Sequence, residues 1–150
     1  MRYHQKVKID NINFEEVKLA FHDFKFIKYL TKFQPVQILK WDGIKDGDSA
    51  HFKFWFFGWR QIIVFHKNYI NSENKLSFTD YSKVSLPLGL SSWNHEHVVR
   101  KNNESIYIED YFEFNHKNKF LAYILYPIMI MPIVMRRITY KIFFKYYRMT

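Results

Sequence analysis

The feature that most limits how this chain can fold is an imbalance between its two kinds of pattern. Six consecutive strand-like segments stand against one long helical segment, the last. Val36 to Trp41 is rich in apolar residues, and Ala50, Phe52, Phe54 and Phe56 alternate with His51, Lys53, Trp55 and Phe57. Gln61 to Phe65, the alternating Leu76, Phe78 and Asp80, and two longer runs, one through Trp93 to Val99 and one from Ile106 to Phe114, complete the series. Asp42-Gly43, Asp46-Gly47 and Asn71-Ser72-Glu73-Asn74 supply the turns between them. Hairpins joined in this way leave one apolar sheet face that needs a cover, and the segment from Lys119 to Tyr147 is the only one long enough to provide it. The chain is therefore expected to form a curved antiparallel sheet wrapped around its C-terminal helix.

The N-terminal part adds a seventh strand and two short helices. Arg2 to Ile9 alternates, with Tyr3, Gln5, Val7 and Ile9 on one side. Asn13 followed by Glu16 reads as a capping box that opens a helical stretch, broken near Asp23, continuing to Leu30 and stopped by Pro35. In the terminal segment Pro127 and Pro132 each remove a backbone hydrogen bond and are expected to kink or interrupt the helix, which is apolar enough to require extensive cover. Beyond them Arg137, Lys141, Lys145 and Arg148 fall within a quarter of the helix circumference, while Arg136 lies among aromatics.

Composition narrows the function classes. A chain of 150 residues with this pattern reads as one α+β domain over its whole length. With no cysteine, neither a disulfide framework nor a thiolate metal site is available. The formal charge of +9 would suit a polyanion, but the lysines are spread over nearly every segment and no nucleic-acid motif is present, so no nucleic-acid partner is expected. Met1 to Lys6 is charged and lacks the apolar run of a secretory signal, which makes a cytoplasmic location the expectation. Trp41, Trp55 and Trp59 read as core residues.

The chemistry concentrates in the two longer runs. Trp93, His95, His97 and Val99 share one strand face, and Ile106, Ile108, Asp110, Phe112 and Phe114 share the corresponding face of the next. If Asn102-Asn103 forms a two-residue turn, His97 stands opposite Ile108 and His95 opposite Asp110. A few polar groups within an oily wall are the usual make-up of a small-molecule cavity.

This order of elements, with its landmarks, resembles the START-like helix-grip superfamily, the SRPBCC proteins, which include polyketide cyclases, lipid-transfer domains and plant allergens. The residues that carry the likeness are Phe21-His22-Asp23 and Leu30-Thr31 in the helical pair, Phe78-Thr79-Asp80, Leu86-Pro87-Leu88-Gly89-Leu90, Trp93-Asn94-His95-Glu96-His97, Ile108-Glu109-Asp110 and the terminal helix. The likeness spans nearly the whole chain and is greatest to small bacterial ligand-binding members. It implies a deep, largely hydrophobic cavity between sheet and C-terminal helix, and no particular reaction.

The expected function is accordingly the binding of a hydrophobic or amphipathic small molecule, without a cofactor. His95, His97 and Asp110 would be its polar contacts and Phe52, Phe54, Phe56, Phe78, Trp93, Ile108 and Phe112 its apolar lining, while Arg136 could hold an acidic headgroup or equally carry its charge out to water on its long stem. Two alternatives stay open. His95 and Asp110 could form the acid-base pair of a cyclase or dehydratase, or the basic, apolar C-terminal segment could contact a membrane surface. Two histidines and a carboxylate could also bind a metal, but alternate strand residues often fail to close such a site, and none is expected. The run Phe120 to Met135 is too short to span a bilayer, and Asp80 reads as a solvated carboxylate near a strand end.

Overall fold

A computed structural model describes residues 1–82 and 86–146. Seven strands form one antiparallel sheet: β1 (Arg2–Ile9), β2 (Val36–Trp41), β3 (Ser49–Trp55), β4 (Trp59–Asn71), β5 (Lys75–Tyr81), β6 (Leu90–Asn102) and β7 (Ser105–His116). Their order across the sheet is β1-β7-β6-β5-β4-β3-β2, so β1 closes onto the last strand while the others follow as hairpins. Register shifts between Ile38 and Lys40, Lys67 and Ile70, and Leu90 and Ser92 bend the sheet, as bulges do. α1 (Phe14–Phe21) and α2 (Phe24–Thr31) separate β1 from β2, and α3 (Lys119–Tyr146) lies against the concave face.

Local sequence explains the short helices. The Asn13 side chain accepts from the Glu16 amide at 2.8 Å while the Glu16 carboxylate accepts from the Asn13 amide, which completes the expected capping box. Asp23 ends one helix and caps the next, accepting from the Lys25 amide at 2.8 Å. Phe26 of α2 is fully buried among Phe21, Tyr140, Phe143 and Phe144, which locks the helical pair onto the end of α3.

Several expectations are corrected. α3 is one helix of 28 residues, not interrupted at Pro127 or Pro132. Each proline costs about 3 kcal/mol in a helix interior, yet Ala122 and Leu125 on one side and Tyr140, Phe143 and Phe144 on the other are buried in two clusters that hold both ends to the sheet. Nor is α3 largely covered: only 17% of its most apolar eighteen-residue stretch is buried, and the whole helix is long and apolar enough, by length and composition, to cross a membrane. Tyr147 and Arg148, assigned to this helix by pattern, lie outside the described residues. β4 runs well beyond Phe65, because His66 and Lys67 continue the pairing with β5. Trp55 and Trp59 are about half exposed at the β3–β4 turn and are not core residues.

The β6–β7 turn also differs from the expected one. It is Asn103-Glu104, with Asn103 at φ +54°, and Asn102 pairs with Ser105. His97 therefore stands opposite Asp110, and His95 opposite Phe112. Moving the turn by one residue slides the pairing by two, so every side chain keeps its face and only its neighbour changes.

Candidate functional site

The inner face of the sheet carries a buried polar cluster beneath α3. Asp110, 0% exposed, is its hub. Oδ2 accepts from Gln5 Nε2 at 2.8 Å; Oδ1 accepts from His95 Nε2 at 3.0 Å, the Tyr140 hydroxyl at 3.2 Å and Arg136 at 3.4 Å. His95 reaches Asp110 diagonally across the strand pair, a span that same-face neighbours can close. His97 sits between two carboxylates. Its Nε2 bonds Asp80 at 3.1 Å, and its Nδ1 lies 3.2 Å from Asp110, near enough for charge attraction although not aligned for a hydrogen bond. His66 Nδ1 donates to the other Asp80 oxygen at 2.8 Å.

Electrostatics separate the two central histidines. Burial and the neighbouring His97 charge push His95 down to about 4, so it is neutral near pH 7. Burial would also lower His97, but the Asp80 carboxylate outweighs it and raises the value, favouring the imidazolium. Burial would raise both carboxyls. The surrounding imidazoles reverse that and hold Asp80 and Asp110 below the ordinary range. Asp110 can only accept, so the bonded Nε2 of His95 carries the proton and Nδ1 keeps a lone pair, with no partner among the described residues.

Two adjoining hollows open beside this cluster. The first, of about 190 Å³, lies between α2 and strands β2 to β6 and is lined by Phe52, Phe54, Phe78, His66, Asp80, Trp93, His95, His97 and Arg136 among others. The second, of about 280 Å³, runs between the sheet and the middle of α3 past Phe54, Phe56, Trp93, His95, Phe112, Met129, Met131, Ile133 and Arg136. They share Gln34, Val36, Phe54, Ile62, Trp93, His95 and Arg136 along their common boundary.

Nine of the eleven residues singled out in the sequence thus border a hollow: His95, His97, Trp93, Phe52, Phe54, Phe56, Phe78, Phe112 and Arg136. Asp110 does not; it lies behind the histidines as their acceptor. Ile108 does not either, being fully buried in the solid core with Val7, Val99 and Tyr140. Asp80 is no solvated carboxylate, since its side chain is 15% exposed and takes two imidazole bonds. Gln5, His66 and Tyr140 were not anticipated. Gln5 and His66 left a faint signal, each being a polar residue in an otherwise apolar inward alternation; Tyr140 left none, because a tyrosine on an apolar helix face is ordinary.

The first hollow includes Asp80, His95 and His97, whose candidate ligand atoms all lie within 4.8 Å of one another. Arg136 is close enough to disfavour a further positive charge at both histidines, which weighs against a cation there.

No family model matches the chain, and no curated protein matches it. Solved structures do. Norcoclaurine synthase from Thalictrum flavum, in complex with dopamine and hydroxybenzaldehyde, is 13% identical and superposes with TM-score 0.67 over 100% of this chain and 89% of that one. Human STARD10 is 12% identical, with TM-score 0.64 over 97% of this chain and 64% of the other. The chain has the START-like helix-grip fold. A ginseng major latex-like protein, 12% identical with TM-score 0.52 over 93% of this chain and 95% of that one, has the same helix-grip arrangement. At such identities the likeness is one of fold alone, and function rests on the site itself.

Proposed function

We propose that the protein binds a hydrophobic or amphipathic small molecule in the adjoining hollows beneath α3. The observation that carries this reading is their make-up: aromatic and aliphatic walls, meeting where His95 and Arg136 face inward. Singly, hollows of about 190 and 280 Å³ fall short of the ~300–1,000 Å³ of a small-ligand site, and a ligand that occupies both across their shared lining would have a site of that size. Binding is favoured over turnover by proton affinity. A general base works best with a pKa near the operating pH, and His95 at about 4 is a poor one. His97, the more basic ring, bonds Asp80 through Nε2, and its Nδ1 is buried 3.2 Å from Asp110, so neither nitrogen is open to a substrate.

An uncharged, environment-sensitive naphthylamine probe is expected to brighten saturably on mixing with the protein. Val36→Trp, which fills the boundary of the two hollows, should weaken uptake at least tenfold while circular dichroism stays unchanged. Failure of the wild-type protein to take up any apolar probe would end the reading.

A second reading, contact with a membrane surface, is favoured by the outer face of α3. Phe120, Ile124, Ile128, Met131, Ile138 and Ile142, between 36% and 70% exposed, recur at helical spacing along it, and Arg137, Lys141 and Lys145 accompany the last of them on the same helix. Ile128 and Met131 also line the second hollow, so the apolar stripe borders the ligand space. The protein should sediment with anionic vesicles at low salt and be released at high salt. Ile138→Glu, at a site 65% exposed, should reduce the bound fraction about fivefold without affecting stability. Absence of wild-type sedimentation would remove the membrane reading.

A further inference from the structure

The boundary between the hollows holds donors and acceptors that the protein itself leaves unused. Arg136 offers five N–H groups; one amino group donates to Asp110 at 3.4 Å, and Nε is buried without a partner. His95 brings the opposite need, because its Nδ1 lone pair has no partner among the described residues and the ring lines both hollows. A polar group without a partner in an apolar wall is unfavourable, so a bound molecule that pairs with it gains affinity.

Charge decides what kind of molecule that is. Two carboxylates, Asp80 and Asp110, already face two cations, the Arg136 guanidinium and the His97 imidazolium. Asp110 already pairs with Arg136, so the guanidinium is not a free cation awaiting an anion. An acidic headgroup would find Arg136 already paired, and bringing a further ion into the interior carries a large desolvation penalty. That exceeds what one or two hydrogen bonds return. The expectation that Arg136 holds an acidic group assumed a free guanidinium, whereas Asp110 already neutralises it.

We propose that the boundary selects an uncharged head that both accepts and donates, such as a carboxamide or a hydroxy-ketone. Its oxygen accepts from Arg136, its N–H or O–H donates to His95 Nδ1, and its apolar body extends along the second hollow past Phe112, Met129 and Ile133. This rests on the ligand-binding reading above and names the class of ligand that it takes.

Three molecules of one shape test it: 2-naphthamide, 2-naphthoate and 2-isopropylnaphthalene, each competed against the naphthylamine probe. The amide is expected to bind at least tenfold more tightly than either of the others. Arg136→Met should bring amide and hydrocarbon within threefold of each other. Because that variant removes one of the partners of Asp110, a measurement on the unaltered protein stands beside it. The carbonyl stretch of bound ¹³C-labelled naphthamide should move to lower frequency than in an aprotic solvent. Equal affinity for all three, tightest binding of naphthoate, or an unshifted carbonyl would overturn this inference and leave the ligand-binding reading standing. Failure of all three and of the probe would overturn both.

Discussion

Replacing Asp110 with alanine is expected to lower the unfolding free energy by about 3–5 kcal/mol, the cost typical of breaking a buried, hydrogen-bonded ion pair on one side. The carboxylate is 0% exposed and accepts from Gln5, His95, Tyr140 and Arg136. These donors come from β1, β6 and two successive turns of α3, so one side chain ties together three elements that local contacts alone would not align. Its removal leaves the Arg136 and His97 charges buried against Asp80 alone, and leaves Gln5 and Tyr140 with one partner fewer. Asp110→Asn keeps the volume but not the charge, and should lose nearly as much. Urea titration monitored by tryptophan fluorescence checks both. A loss below about 1 kcal/mol for the alanine variant would mean that the cluster relaxes or admits water, contrary to its burial.

The second large effect is a loss of stability on mild acidification. His95 has a folded value of about 4 against 6.5 for a free imidazole. Between those limits the unfolded chain binds a proton that the folded chain refuses, so stability is fully present above pH 6.5 and falls as the pH is lowered toward 4. At about 1.4 kcal/mol per pH unit, the fall over that window is about 3 kcal/mol. His97 runs the other way. Its raised value gives a contribution that is whole below pH 6.5 and is lost as the pH rises through the folded value. Asp80 and Asp110, held below the ordinary range of about 3.8, keep their contributions throughout the window and lose them only at still lower pH. His95→Gln is therefore expected to flatten the slope of stability from pH 6.5 to 4, whatever it does to the absolute value. Parallel slopes for variant and wild type would show that His95 is free to take up a proton in the folded state.

The hairpin of β6 and β7 separates what could be read early from what could not. Alternation alone put His95, His97 and Asp110 on one face, because strand periodicity is a property of the backbone. The partner of each depended on which of Asn102, Asn103 and Glu104 turns the chain, and either choice satisfies the same alternation. Gln5 and Asp110 are 105 residues apart in sequence, so no local pattern could join them. The continuity of α3 through two prolines is of the same kind, since the penalty is local and the packing that outweighs it is not.

The order of elements, the capping of the short helices, the inward face of each strand and the apolar character of the walls were all written in the amino-acid sequence, because each depends on residues within a turn or two of one another. Tertiary structure alone decided that Asp80 and Asp110 share His97, that Arg136 is neutralised within the cluster, that Ile108 lies in solid core, and that the outer face of α3 is exposed. Those outcomes depend on distances between segments remote in sequence. Charge balance and solvent access are set by such distances, and by no residue's immediate neighbours.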